Sequence, residues 1–409
     1  MRILTDPADV DAGLAVFRTA MVGMRPRPPH PEGDVFTLVE KGRMVGGFIG
    51  DQLVGAADST TGELTVPGGA RLAHAAVTRV GVLPTHTRRG VLSALMRAQL
   101  GGQRDRGVAV ATLRASEGTI YGRFGYAVAS ELRTLRIEKK DAVLRPEVAA
   151  AVDRGAVRLV DAEDQALPQR IVTAVPAARP GTITRGDQWW NNRRLWAEAT
   201  PGPRYLAVHG AAGAEDGYVR YRPADTAGWF TSPERTVIVE ELYAPSAAAR
   251  RDLLAFLLGL DLVDVLELPD RPVDDALPHL LTDPRAARTT AVGDETWLRL
   301  LDVPAALATR SYAGTPGDAV ILAVDDPLLP ANTGVYRITA GGATPADPGA
   351  EVDARVDVAT LAAAYLGGTP WRVLAEAGLL GGAAPGDRVV TVLDRLFAVP
   401  EAPFAGVMF

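Results

Sequence analysis

The sequence predicts a mixed α/β (α+β) chain of three successive segments, each pairing a sheet with helices, and three observations predict it. First, "VTRVGVLPTHTRRGVLSALMRAQL" (residues 77–100) passes from a strand-like run into apolar residues at Val91, Leu92, Leu95, Met96 and Leu100. That is the spacing of a helix with one buried face. Second, the order of apolar strand, proline, paired arginines and leucine-rich helix returns in "VIVEELYAPSAAARRDLLAFLLGL" (residues 237–260). Third, residues 301–409 turn richer in glycine and proline and read as strands and helices with no visible nucleotide loop. The expected boundaries are 1–145, 146–300 and 301–409.

Each element has a local reason. "DPADVDAGLAVFRTAMVG" reads as a helix capped by Asp6, with Pro7 in its first turn. The proline cluster of "RPRPPHPEGD" is a loop. "MVGGFIGDQLVGAADST" gives two short strands joined by a hairpin at Gly-Asp. In the next strand Thr78, Val80 and Val82 share one side, while Arg79, Gly81 and Leu83 share the other. "GVAVATLRA" is a further strand, "SEGTIYGRFGYAVAS" follows it, and "ELRTLRIEK" is strand again. A mainly antiparallel start, then strands separated by helices, gives one twisted sheet flanked by helices.

In the second segment Pro245, Arg250 and Arg251 parallel Pro84, Arg88 and Arg89, but Asp252 stands where the first copy has Gly90. A carboxylate at a helix start repels a pyrophosphate, so duplication with loss of binding in the second copy is the preferred reading. Two ordinary strand–helix joins are the competing one. In the third segment "TRSYAGTPGDAVILAVDDP" and "NTGVYRITAGG" are strands, and "VDVATLAAAYLGG" and "PWRVLAEAGLL" are helices. The apolar ending "FAVPEAPFAGVMF" is expected to pack, since frayed ends are usually polar.

Composition excludes several classes. The 409 residues suggest two or three domains, and 47% hydrophobic with 22% charged residues is globular. No run of about 18 uncharged apolar residues suggests a membrane span, and "MRILTDPADVDAG" places aspartates where a signal peptide is apolar. A cytoplasmic protein is the expectation. There is no cysteine, hence no disulfide, thiolate metal site or cysteine nucleophile. The five histidines (His30, His74, His86, His209, His279) lack HxxxH or HExxH spacing, so no metal is expected. Net charge is −6, which offers nucleic acid no global basic field. "DQWWNNRRLW" could stack bases, but Trp189, Arg193 and Trp196 fit one helix face packed on its own domain.

The chemistry concentrates in the first strand–turn–helix. A dinucleotide fingerprint G-x-G-x-x-G and a P-loop G-K-[ST] are both absent. What remains is a strand, a basic turn carrying Arg88 and Arg89, and a helix opened by Gly90. Backbone N–H groups and the helix dipole there favour a phosphate-rich ligand. Where the neighbouring strand splays away, Val80–Gly81–Val82 is free to pair with an amide-bearing arm such as pantetheine. Arg79 flanks this strand and faces an adjoining cleft, pairs with a carboxylate, or turns aside. Tyr121 and Tyr126, on the residues alone, are half-buried aromatics with satisfied hydroxyls.

At this point "TRRGVL" resembles the (Q/R)-x-x-G-x-(G/A) motif of the GCN5-related N-acetyltransferases, departing at Thr87 and Leu92. "VGVLPTHTRRGVLSALM", "RASEGTIYGRFGYAVAS", "EDGYVRYRP", "PVDDALPHLLTDPRAAR" and "LRLLDVPAALATRSY" resemble the Eis (enhanced intracellular survival) family of these enzymes, in order and over nearly the whole chain. The resemblance implies two tandem acetyltransferase (GNAT) domains, the second without cofactor, and a sterol-carrier-like third domain. It implies a homohexamer with large acceptor clefts, and acetyl-CoA as co-substrate.

Carried over residue by residue, the general acid is Tyr121, with Tyr126 as rival, and the base is the terminal carboxylate of Phe409, or that carboxylate only orients the cation while water removes its proton. Cofactor contacts fall to Val80, Gly81, Val82, Arg88, Arg89, Gly90, Val91, Leu92, Ser93, Ser116 and Glu117. A phenol with a reference pKa of about 10 stays protonated at pH 7 and can donate to a departing thiolate. Acceptors implied are aminoglycosides, polyamines or lysine side chains. A lipid or ligand carrier acting through the third domain, and a non-catalytic acyl-CoA sensor, are the contrasting functions.

Overall fold

A computed structural model describes residues 1–24, 34–176, 178–199 and 202–409. The loop expected over "RPRPPHPEGD" lies, through residue 33, outside the described residues. The chain divides into two compact units: Met1–Ser130 with Arg179–Leu195 and Asp294–Phe409, and Glu131–Ala178 with Trp196–Gly293.

The first stretch carries β1 (Arg2–Ile3), α1 (Pro7–Ala20), β2 (Val45–Ile49), β3 (Gln52–Thr65), β4 (Arg71–Val82), α2 (Val91–Asp105), β5 (Val110–Leu113), α3 (Gly118–Tyr121) and β6 (Ala127–Glu138). Asp6 caps α1 by accepting from the Ala8 amide at 2.9 Å, and Pro7 fills the first turn, where a missing N–H costs nothing. Gly50 turns the β2–β3 hairpin with φ +56°. Strands β1 to β5 lie side by side in that order, antiparallel except for β4 and β5. Helices α1 and α2 cover opposite faces: a Cβ on Gly81 would meet Ala20 and Phe17 of α1, and one on Gly55 would meet Val91 and Leu95 of α2. Leu95, Met96 and Leu100 of α2 are fully buried, each stabilising the fold by about 1.5–3 kcal/mol relative to exposure.

The next stretch adds α4 (Pro146–Ala150), β7 (Val157–Val160), α5 (Ala166–Ala174), α6 (Asp187–Ala199), β8 (Tyr205–His209), β9 (Gly217–Pro223), β10 (Thr236–Tyr243), α7 (Ala247–Leu258), β11 (Val265–Pro272) and β12 (Ala287–Leu300). In the second unit β7 to β11 lie in chain order, and β6 from Glu131 onward pairs with β11. In the first unit the C-terminal part of β12 pairs with β5. The two strand sets share details beyond their order. Each has a parallel pair three residues long, His74–Ala76 with Val110–Thr112 and Thr236–Ile238 with Val265–Glu267. Each also has a register shift in the antiparallel partner beside it. Shared irregularities of this kind favour duplication over two ordinary joins.

Residues 303–397 form α8 (Val303–Thr309), β13 (Ala319–Asp325), β14 (Gly334–Thr339), β15 (Gly342–Pro345), β16 (Ala354–Asp357), α9 (Val358–Tyr365), α10 (Trp371–Glu376) and α11 (Arg388–Phe397). Their sheet runs β15-β14-β13-β16, with helices packed into a core that includes Leu322, Leu361, Trp371 and Leu396. Arg299 of β12 reaches Asp326 at 2.7 and 2.8 Å, and neither side chain is exposed. Asp326 also accepts from Asn332 and from the amides of Leu328 and Leu329. Removing one partner strands the other charge in a dry site. Asp326→Ala is therefore expected to cost about 3 kcal/mol and to lower the melting temperature by on the order of 10 °C in thermal denaturation.

Candidate active site

The β4–β5 ladder ends at Ala76 and Thr112, yet β4 runs on to Val82 while β5 stops at Leu113. From Val77 onward one edge of β4 therefore has no β5 partner, the kind of splay expected where an extended ligand pairs with a strand. A bulge marks the same place. The β3–β4 register shifts between Ala56 and Asp58, and Arg79 takes φ +51°, a left-handed conformation uncommon for a side-chain-bearing residue. The bulge corrects one expectation. Ala75 and Val77 face the α2 core before it, and Val80 and Val82 after it, so Thr78 and Val80 do not share a face.

Beyond β4 a single turn at Pro84–His86 leads to the corner. Arg88 and Gly90 both adopt left-handed conformations, φ +59° and +80°. Gly90 is the N-cap of α2, which has no side-chain cap, and the first intrahelical bond comes from Ala94 to the Gly90 carbonyl. The amides of Val91, Leu92 and Ser93 thus stand at an open helix start. Arg88 and Arg89 flank it, both exposed. Ser116 and Glu117 are exposed on the loop after β5, and Glu117 is the N-terminal boundary of α3. This corner matches the chemistry of a pyrophosphate: amide donors, a dipole and fork-shaped cations.

In the second unit the equivalent corner differs from expectation. Ser246 caps α7 and accepts from Ala249 N at 3.0 Å. Arg250, Arg251 and Asp252 lie within the helix, and Asp252 is buried, bonded to His209 and Arg251. The helix start is closed by a hydroxyl, not by Asp252.

Tyr121 ends α3 and is 6% exposed; among the described residues its hydroxyl has no hydrogen-bond partner. Burial, with Glu117 adding to it, raises its pKa above the ordinary phenol value. The Tyr126 ring stands edge-on to it at 6.0 Å. Tyr126 is fully enclosed, its hydroxyl without a partner among the described residues and its pKa driven far up by burial. Of the two phenols, Tyr121 is the one nearer to solvent.

The tail packs as its composition predicts, and a set of polar anchors holds it residue by residue. Buried Glu295 accepts from the amides of Ala405 at 2.9 Å and Gly406 at 3.3 Å, and from Ser130 Oγ at 2.7 Å. Arg114 pairs with Glu295 at 3.3 Å and donates to the Val407 carbonyl. Arg185 donates to the Gly406 carbonyl at 2.9 Å, and Trp189 Nε1 to the Met408 carbonyl at 2.7 Å. Phe409 is thereby brought to a small cavity lined by Thr60, Gly62, His74, Ala76 and Trp189. The cavity reaches Ala76, the last residue of the β4–β5 ladder.

Arg79 is paired. Its guanidinium donates to Asp58 at 2.7 Å, to Asn192 at 3.1 Å and to the Leu38 carbonyl at 3.4 Å. Asp58 is fully buried; desolvation raises its pKa, opposed by Arg79. Helix α6 is a second correction. Trp190 and Leu195 are its buried residues, whereas Trp196 is 45% exposed and Trp189 serves the tail.

Glu295, Arg114, Arg185, Ser130, Asp58 and His74 were not singled out by sequence reasoning for these contacts. Only Arg114, directly before the "ASEG" turn, carried a positional hint.

Three family models match: a GNAT acetyltransferase domain over residues 2–129, a second over 181–300 and a sterol carrier protein domain over 303–406. The chain is 35% identical to N-acetyltransferase Eis of Mycobacterium tuberculosis over 85% of its length and 84% of that protein. It is 34% identical to an uncharacterized N-acetyltransferase of Streptomyces griseus, covering 92% of this chain and 91% of the relative. Among solved structures it is similar to Eis1 from Mycobacterium abscessus, with a TM-score of 0.91 and 45% identity, covering 100% of this chain and 99% of that one.

Proposed function

The chain belongs to the Eis family of GCN5-related N-acetyltransferases, and from that premise we propose a primary amine as acceptor, Tyr121 as general acid and the Phe409 carboxylate as base. The open corner at Gly90, below a β4 edge released from β5, is the observation that supports this reading most. Acetyl-CoA bound there supplies a thioester that an amine attacks directly, with no protein nucleophile. Val80, Gly81 and Val82 offer backbone groups to its arm, while Arg88, Arg89, Gly90, Val91, Leu92 and Ser93 offer donors to its phosphates. Ser116 and Glu117 complete the contacts from the loop before Tyr121. The Tyr121 hydroxyl holds its proton and gives it to the leaving sulfur.

The Phe409 carboxylate attracts and orients the cationic acceptor and receives its proton. An alkyl ammonium near pKa 10 and a carboxyl near 3.5 differ by about 6–7 units, so desolvation of the amine must close much of that gap. Aminoglycosides, polyamines and lysine side chains remain the proposed acceptors. Domains at 1–145, 146–300 and 301–409, a second domain without cofactor, a homohexamer and a cytoplasmic setting belong to the same proposal. Light scattering checks the hexamer. Among the described residues no helix is long and apolar enough to cross a membrane.

The test is thiol release from acetyl-CoA against a chemically varied panel of primary amines; release that never exceeds the amine-free rate sinks the proposal and favours a carrier. A narrower prediction concerns the corner. Gly90→Asp places a carboxylate where the phosphates sit and is expected to raise the acetyl-CoA Kd by roughly 30-fold, about 2 kcal/mol, in calorimetric titration. The second unit's Ser246→Ala is expected to leave that Kd unchanged.

A further inference from the structure

Arg79 holds a backbone conformation that its side chain does not favour. Gly81 of β4 pairs with Ala56 of β3 and Thr78 pairs with Asp58, so Arg79 and Val80 together stand opposite Ala57. A bulge whose first residue is left-handed is ordinarily built on glycine. Here an arginine takes φ +51°. Such a conformation persists only where its surroundings over-determine it.

The guanidinium supplies part of that constraint. It donates to Asp58 Oδ2 at 2.7 Å, to Asn192 Oδ1 at 3.1 Å and to the Leu38 carbonyl at 3.4 Å. The Asp58 side chain is wholly enclosed, and Arg79 is the cation paired with it among the described residues. Asn192 is itself fixed, its amide donating to the Leu38 and Gln188 carbonyls at 2.9 and 2.6 Å. The pair also depends on the bulge. In an unbulged strand residue 79 would follow Ala75 and Val77 onto the α2 face, whereas Asp58 comes one residue after the core residue Ala57 and points to the other. Losing the bulge therefore separates the two charges and leaves a buried carboxylate alone. The same bulge turns Val80 and Val82 onto the α2 face, within the stretch of β4 that has no β5 partner.

We propose that the Asp58–Arg79 pair is a positioning device for acetyl-CoA. It holds the β4 bulge, and through it the Val80–Val82 edge on which the pantetheine arm lies. Arg79 is a positioning residue, acting through the backbone of the three residues that follow it. The assignment rests on the acetyl-transfer reading above, because that reading puts the arm on this edge. The competing account is that packing of Val80, Gly81 and Val82 holds the bulge without the pair.

The experiment titrates the full-length enzyme by calorimetry with two probes, acetyl-CoA and 3′-phosphoadenosine 5′-diphosphate. The second carries the phosphates without the arm, so it reaches the Gly90 corner but not the β4 edge. Arg79→Gly suits the left-handed backbone and removes the pair. A native edge kept in one molecule of ten weakens apparent binding by that factor, so the acetyl-CoA Kd is expected to rise by about tenfold while the armless probe's stays within about twofold. Because the single variant leaves Asp58 buried and unpaired, Asp58→Asn is combined with it. That double variant carries no stranded charge and is expected to show the same selective loss, with melting temperature followed in both. An acetyl-CoA Kd unchanged in the double variant shows that packing alone holds the bulge and overturns the assignment. Equal weakening of both probes makes the pair a general support of the fold and overturns it as well. A native enzyme that fails to bind acetyl-CoA overturns the transfer reading itself, and this assignment with it.

Discussion

Tyr121→Phe is expected to lower kcat by about a hundredfold or more while leaving acetyl-CoA affinity unchanged, the loss typical of removing a general acid. The substitution deletes one hydroxyl from a buried ring, and that hydroxyl has no hydrogen-bond partner among the described residues, so little else should change. Tyr126→Phe is the control: its enclosed hydroxyl has no partner among the described residues to lose, and the substitution should affect the rate little. The pH profile carries a second check. Burial and Glu117 move the Tyr121 pKa upward, so the protonated, donating form persists above the ordinary phenol range. A falling limb between pH 7 and 9 in the native enzyme that vanished in Tyr121→Phe would contradict this. Unchanged turnover in Tyr121→Phe removes the residue from the mechanism.

Appending one glycine after Phe409 is expected to reduce kcat/KM by roughly a hundredfold, because a charge displaced by even about 1 Å from its working position loses that much. The anchors make this a sharp test. Glu295, Arg114, Arg185 and Trp189 fix the backbone from Ala405 to Met408, so the added residue cannot be absorbed by sliding the tail back. Glu295→Gln keeps the shape of the anchor and removes its charge; it should lower kcat/KM by about tenfold, with acetyl-CoA binding intact. Full activity in the extended enzyme dismisses the carboxylate as a participant and leaves the tail a packing element.

Local order was written plainly in the sequence. The Asp6 cap, the hairpin at Gly50 and helix α2 each follow from a few adjacent residues, because caps, turns and apolar periodicity act over one or two turns of chain. The candidate phosphate corner was legible for the same reason: Arg88, Arg89 and Gly90 are contiguous, and so is the strand before them. The repeat was legible in its order but not in its chemistry. Counting from the arginines put Asp252 at a helix start, whereas the cap at Ser246 begins the helix six residues earlier.

Tertiary structure alone decided which polar groups meet. Arg79 finds Asp58 across a bulge that no property of arginine announces; the β3–β4 register imposes its left-handed backbone. The tail is an apolar run in sequence, yet its position depends on Glu295, 110 residues before Ala405, and on Arg185 and Trp189 from a segment before β8. His74 reads as one histidine on a strand until the fold sets Thr112 at hydrogen-bond distance and Gly62 opposite it on β3. Propensity and periodicity specify each element from its own residues. Neutralising a buried charge or filling a cavity wall needs partners distant in sequence, and only the folded chain selects them.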